Sequence, residues 1–133
     1  MKILVIDGMG GGIGKVIIEQ VISALGDNAI ITAVGTNSIA TSAMLKAGAH
    51  NAATGENAVV YNASRSDYII GVIGIIAANS MHGEVSPKMA QAVSESAAHK
   101  ILVPIDKCNI TIAGVGTASI QAYVADVIGK LRG

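Results

Sequence analysis

The sequence predicts one doubly wound α/β domain, a mainly parallel sheet of about five strands between two layers of helices. Short apolar runs rich in β-branched residues recur along the chain, as strands buried on both faces require. Between them lie stretches with apolar residues at helical spacing, bounded by glycine, serine, asparagine and proline. Strand and helix alternate, which is how crossovers supply parallel strands.

Composition narrows the reading further. With 133 residues the chain can pack one core, and that core is aliphatic and alanine-rich, because 51% of residues are hydrophobic while phenylalanine and tryptophan are absent. Nine basic residues balance nine acidic ones without a basic cluster, so neither nucleic acid nor an anionic membrane is an expected partner. One cysteine makes no internal disulfide, and no leader precedes the first strand, so the cytoplasm is the expected compartment. The longest apolar run, Tyr68 to Ala78, is too short to span a bilayer. High apolarity with only 14% charged residues points to surface covered by a second copy, hence a homodimer.

Lys2 to Ile6 form the first strand, stopped by Asp7 and Gly8. The loop GMGGGIG follows, and from it a helix whose apolar positions are Ile13, Ile17, Val21 and Leu25, ending at Gly26. A loop without side chains lets a ligand reach the backbone, and the first helical turn offers unpaired N–H groups at the positive end of the dipole. An anion is the natural occupant. Gly8, Gly10, Gly11, Gly12, Ile13 and Gly14 are therefore the candidate binding residues, although the same glycines can serve close strand-to-helix packing.

The dinucleotide spacing GxGxxG fails from Gly8 and from Gly10, where the third glycine falls on Ile13 or Lys15, whereas GxxxGxG fits at Gly8, Gly12 and Gly14. Over this strand, loop and helix the chain resembles the short-chain dehydrogenase/reductase family, which implies a phosphate-binding loop. The tyrosine and lysine pair of those enzymes is missing, since Tyr61 is followed at the same distance by Arg65, so hydride transfer is not implied.

Ala29 to Val34 form the second strand, closed by Gly35, Thr36 and Asn37. NAD-binding domains carry an acidic residue here and NADP-binding ones an arginine. The chain has only GTNS, which lends a nicotinamide cofactor, NAD(P), little support and leaves a nucleotide, dinucleotide or other small phosphorylated molecule. Thr36 and Asn37 are candidate contacts, with helix capping as the ordinary alternative. Asn37 or Ser38 opens a helix carrying Ala40, Ala43, Met44, Leu45 and Ala47, ending at Gly48.

Ala49 to Ala52 read as a short third strand. The segment from Gly55 fits a helix or a strand; a helix from about Glu56, capped by Thr54, is preferred because a strand so near the next would lack a crossover. Ser66 to Val72 form the next strand. Asn79 to Glu84 make the loop past its end, with Asn79 and Ser80 as candidate contacts. Ser86 and Pro87, cap then proline, start a helix buried through Met89, Ala90, Val93 and Ala97. Lys100 to Ile105 form a strand that Pro104 assigns to an edge or a terminus. If Ile110 to Ala113 form a strand it runs antiparallel at the edge, since the loop from Asp106 to Asn109 is too short for a parallel crossover. Thr117 or Ser119 opens the last helix, with Ile120, Val124, Val127, Ile128 and Leu131 on one face.

In an open parallel sheet the ligand crevice lies past the carboxyl ends of the strands, and there the polar residues concentrate: Asp7 with the glycine loop, Thr36 and Asn37, Thr54 to Asn57, Asn79 to Glu84, and Asp106 to Asn109. Asp7 can orient a ribose, hold magnesium bridging to a phosphate, act as a base, or be a turn former. His82 and Cys108 are a candidate base and thiol for nucleophilic catalysis, against the usual role of a lone cysteine as a small hydrophobe. Lys107 is the one basic residue at the crevice, so phosphate charge falls mainly to backbone amides. Glu84 is either a carboxylate partner or a loop charge facing water. His50, His82 and His99 show no metal-ligand spacing, and no metal is expected.

The stretches IDGMGGGIGK, VGTNSIATSAMLKAGA, ATGENA, IGIIAANSMHGEVSPKMAQA and ILVPIDKCNI resemble a family of short bacterial proteins described only as a domain of unknown function. The resemblance implies a small cytoplasmic Rossmann-like protein and supplies no reaction. Three roles follow from the residues: a nucleotide or phosphometabolite-binding protein, as an enzyme or otherwise; a ligand-sensing module without turnover; and a structural partner whose glycine loop serves packing.

Overall fold

The computed structural model describes residues 1–105 and 109–133. Ten strands and α-helices follow in strict alternation: β1 (Lys2–Asp7), α1 (Gly12–Leu25), β2 (Ile30–Gly35), α2 (Ser38–Lys46), β3 (Asn51–Thr54), α3 (Glu56–Ala63), β4 (Tyr68–Val72), α4 (Pro87–Glu95), β5 (His99–Val103) and α5 (Ile120–Arg132). The strands make one sheet in the order β3-β2-β1-β4-β5, every pair parallel.

β1 sits at the centre, and its sequence shows why. Ile3 to Asp7 are all buried, because successive side chains point to opposite faces and both faces are covered. On one side Ile3 and Val5 meet Ile17, Ile18 and Val21 of α1, Met44 of α2, and Val124, Val127 and Leu131 of α5. On the other, Leu4 and Ile6 meet Val59 and Ala63 of α3 and Met89, Ala90 and Val93 of α4. This is the doubly wound, Rossmann-like three-layer arrangement that the sequence predicts.

Three caps form as the residue types require. The Asn37 side-chain oxygen accepts from the Ala40 amide at 2.9 Å, Ser86 Oγ from Met89 at 3.2 Å, and Ser119 Oγ from Ala122 at 3.1 Å. The helix from Glu56 forms, but Thr54 does not cap it. Gly55 is the cap residue, at a φ of 101°, and Thr54 Oγ1 instead lies 2.6 Å from Thr41 Oγ1, tying β3 to α2.

Three further expectations need correction. Residues 110 to 113 form no strand, and the sheet among the described residues is wholly parallel. Ile110 and Ile112 are instead half-buried and line a cavity of about 340 Å³ with Ile105, Val115 and Tyr123. Ala97 is exposed beyond the end of α4, and Ala98, entering β5, takes the buried place. Ile120, in the first turn of α5, is 39% exposed, so that helix docks through Val124, Val127 and Leu131. β5 is an edge strand and Pro104 follows it directly, where a missing N–H costs no ladder bond. Among the described residues no helix is long and apolar enough to cross a membrane.

Candidate functional site

Strand order decides where a crevice opens. From β1 the chain passes to α1 on one face of the sheet, and from the adjacent β4 it passes to α4 on the other, so the two connections diverge and leave a gap. A cavity of about 420 Å³ lies there, lined by Met9 from the glycine loop and by Ala77, Ala78, Asn79, Ser80, Met81 and His82.

The backbone around this cavity is strained. Met9, Asn79, Met81 and His82 hold φ values of 52°, 65°, 55° and 56°, a left-handed region that costs side-chain-bearing residues on the order of 1–3 kcal/mol each. Internal bonds hold the loop in that shape. Ser80, only 7% exposed, donates from Oγ to the Gly74 carbonyl at 2.5 Å, while the amides of Asn79 and Val85 donate to the carbonyls of Val85 and Ser80 at 2.7 and 3.2 Å.

The glycines before α1 divide into two groups. Gly8 and Gly14 donate their amides to Asp7, Gly8 to Oδ1 at 2.8 Å and Gly14 to Oδ2 at 2.6 Å, and Gly11 donates to the Gly8 carbonyl at 3.0 Å. A Cβ on Gly8 would stand 2.5 Å from Thr36 Oγ1, one on Gly11 2.8 Å from Ala40 Cα, and one on Gly14 2.9 Å from Asp7 Cβ. These three glycines are filled by the protein's own atoms. At Gly10 and Gly12 a Cβ would meet nothing within 4 Å, both residues are exposed, and neither amide bonds to another described residue. Ile13 is half-buried between the two apolar clusters, its amide turned toward Asp7. The helix mouth is thus partly closed from within, and only Gly10 and Gly12 face outward.

Thr36 and Asn37 join the same network through Glu84. The Glu84 Oε1 atom accepts from the Met9 amide at 2.9 Å, from Thr36 Oγ1 at 2.5 Å and from Asn37 Nδ2 at 3.0 Å. Asn37 Nδ2 also donates to the Met9 carbonyl at 3.0 Å. Glu84 is the residue that sequence reasoning undervalued, because a single carboxylate in a loop carries no motif; its partners lie 75, 48 and 47 positions away.

Other candidates separate. Asn79 and His82 are exposed at the cavity, whereas the Ser80 hydroxyl points inward to Gly74. Thr54 and Glu56 do not line it: Glu56 Oε2 accepts from Ser86 Oγ at 2.6 Å. Asp106, Lys107 and Cys108 lie outside the described residues, and with them the proposed pairing of Cys108 with His82. Among the described residues no cluster of three or more metal-ligating side chains forms.

Charge follows geometry. Burial pushes the Asp7 carboxyl above its ordinary value of 3.8, the amides of Gly14 and Gly8 pull it back only partly, and the neighbouring Glu84 charge raises it further. Glu84 is held below 4.5, first by the Met9 amide, then by the Thr36 hydroxyl and Asn37, with a contribution from His82. The signs oppose. Native Asp7 keeps a proton that the unfolded chain releases, so stability falls as pH rises from 3.8 to its folded value and is level above that. Glu84's contribution is complete above 4.5 and is lost as pH falls through its folded value. Denaturant unfolding from about pH 3 to about pH 7 should show the acid-side loss shrink in Glu84→Gln and the opposite slope shrink in Asp7→Asn. Unchanged profiles in both variants would mean that neither carboxylate sits as described.

A family model described as Domain of unknown function (DUF3842) matches residues 2–133. No curated protein and no solved structure matches the chain. Because that match takes in the glycine loop, the strained loop after β4 and all five strands, the chain belongs to the family described as Domain of unknown function (DUF3842).

Proposed function

We propose that the crevice between the glycine loop and residues 77 to 82 binds a small phosphorylated molecule, a nucleotide in the first instance. The carrying observation is the cavity of about 420 Å³ at the point where the connections of β1 and β4 diverge, the place where open parallel sheets hold ligands. Gly10 and Gly12 support it, since their free amides stand at the positive end of a 14-residue helix with open space before them. Asp7, with both oxygens taken by amides, serves as a strut of the loop rather than as a free base.

A melting-temperature screen with nucleotides and other phosphate esters tests this. A ligand that binds only the folded chain stabilises it by about 2.7 kcal/mol at a hundredfold excess over its Kd. Gly12→Glu is expected to keep the fold, because the side chain enters open space and an acidic residue suits a helix start, yet to abolish the ligand-dependent rise.

A second reading, a homodimeric structural protein whose glycine loop serves packing, draws on Gly8, Gly11 and Gly14 being filled from within, and on Ile39 and Leu45 lying 69% and 52% exposed on α2. A screen with no shift from any phosphate ligand, together with a dimer in sedimentation, would favour it.

A further inference from the structure

We infer that Glu84 is the built-in occupant of an anion seat, and that a phosphoryl oxygen of the ligand takes its place as the loop after β4 swings away. Three donors from the ends of two strands converge on its single oxygen Oε1: the Met9 amide after β1, and Thr36 Oγ1 and Asn37 Nδ2 after β2. Convergence of that kind is what a phosphoryl oxygen requires. Oε2 of the same carboxylate bonds to no other described residue, and among the described residues the only ion pair is Lys130 with Asp126, on α5. The carboxylate's hydrogen bonds among the described residues come from these donors alone.

The segment that delivers it is the strained one. Asn79, Met81 and His82 hold left-handed backbone immediately before Glu84, and the three bonds at Oε1 add to the loop's own internal bonds in holding it there. When a ligand oxygen accepts those bonds instead, the loop loses its ties to the ends of β1 and β2, so occupancy and loop position are coupled. The seat lies one residue from Gly10, placing the displaced carboxylate next to the outward amides. The ligand class rests on the binding reading above; the seat itself rests on the donor geometry.

Inorganic phosphate is the probe, added to the full chain as wild type, Glu84→Ala and Glu84→Gln, with melting temperature followed against chloride at matched ionic strength. Emptying the seat in Glu84→Ala should give a saturable gain with phosphate, at an apparent affinity about tenfold or more above wild type. Glu84→Gln, whose amide oxygen can keep the same donors, should stay near wild type. An absent phosphate effect in Glu84→Ala, an equal one in all three proteins, or the same gain with chloride overturns the inference. A second measurement follows the Met9 amide resonance of the wild type under phosphate and nucleotide titration, and holds even if Glu84→Ala does not fold. The resonance should move as its acceptor changes; if it stays fixed at saturating phosphate, the seat is refuted. Nucleotide bound with Met9 unmoved refutes the seat and leaves the binding proposal standing, whereas phosphate bound by Glu84→Ala without nucleotide binding to the wild type does the reverse.

Discussion

Gly11→Ala should destabilise the protein by about 3 kcal/mol, lowering its melting temperature by about 10 °C for a chain of this size. Two independent costs add. Gly11 caps α1 at a φ of 74°, where an L-residue with a Cβ is disfavoured by roughly 1–2 kcal/mol. The new Cβ would also stand 2.8 Å from Ala40 Cα and 2.9 Å from the Ala40 carbonyl oxygen, and backbone in the first turns of α2 cannot rotate aside as a side chain can. Gly10→Ala is the control: no positive φ and no neighbour within 4 Å, so a change within about 0.5 kcal/mol is expected. Equal melting of the two variants would show that α1 and α2 do not approach as closely as described.

Asp7→Ala should cost about 2–3 kcal/mol, measured by denaturant unfolding near neutral pH. The substitution leaves the Gly8 and Gly14 amides without acceptors in a buried position, each worth about 1–3 kcal/mol, and relief of the carboxylate's desolvation returns part of that. Asp7→Asn should lose less, because one oxygen can still accept from Gly14. Should Asp7→Ala unfold like wild type, the carboxylate is no strut, and a chemical role for Asp7 becomes the better reading.

The site was legible in the sequence only in outline. Gly8 to Gly14 announced a loop between a buried strand and a helix, and the distribution of Thr36, Asn37 and Asn79 past strand ends announced a crevice. The glycines' individual duties were hidden. Gly8, Gly11 and Gly14 are occupied by Thr36, Ala40 and Asp7, while Gly10 and Gly12 are open, and nothing local separates the two groups. Residues 110 to 113 misled because apolar, β-branched residues satisfy a cavity wall as well as a ladder.

Alternation of buried runs with amphipathic stretches, each set by a few neighbouring residues, was enough for the sequence by itself to determine the layers, a mainly parallel sheet and the cap at Ser86, and to narrow the others to Asn37 or Ser38 and to Thr117 or Ser119. Those are short-range matters, decided by periodicity and by side chains bonding amides three positions on. Only the tertiary structure decided that Glu84 meets Met9, Thr36 and Asn37, and that two glycine amides out of the loop stay exposed. The strand order β3-β2-β1-β4-β5 brings distant strand ends together, and a contact across so many positions leaves no period or spacing in the chain to read.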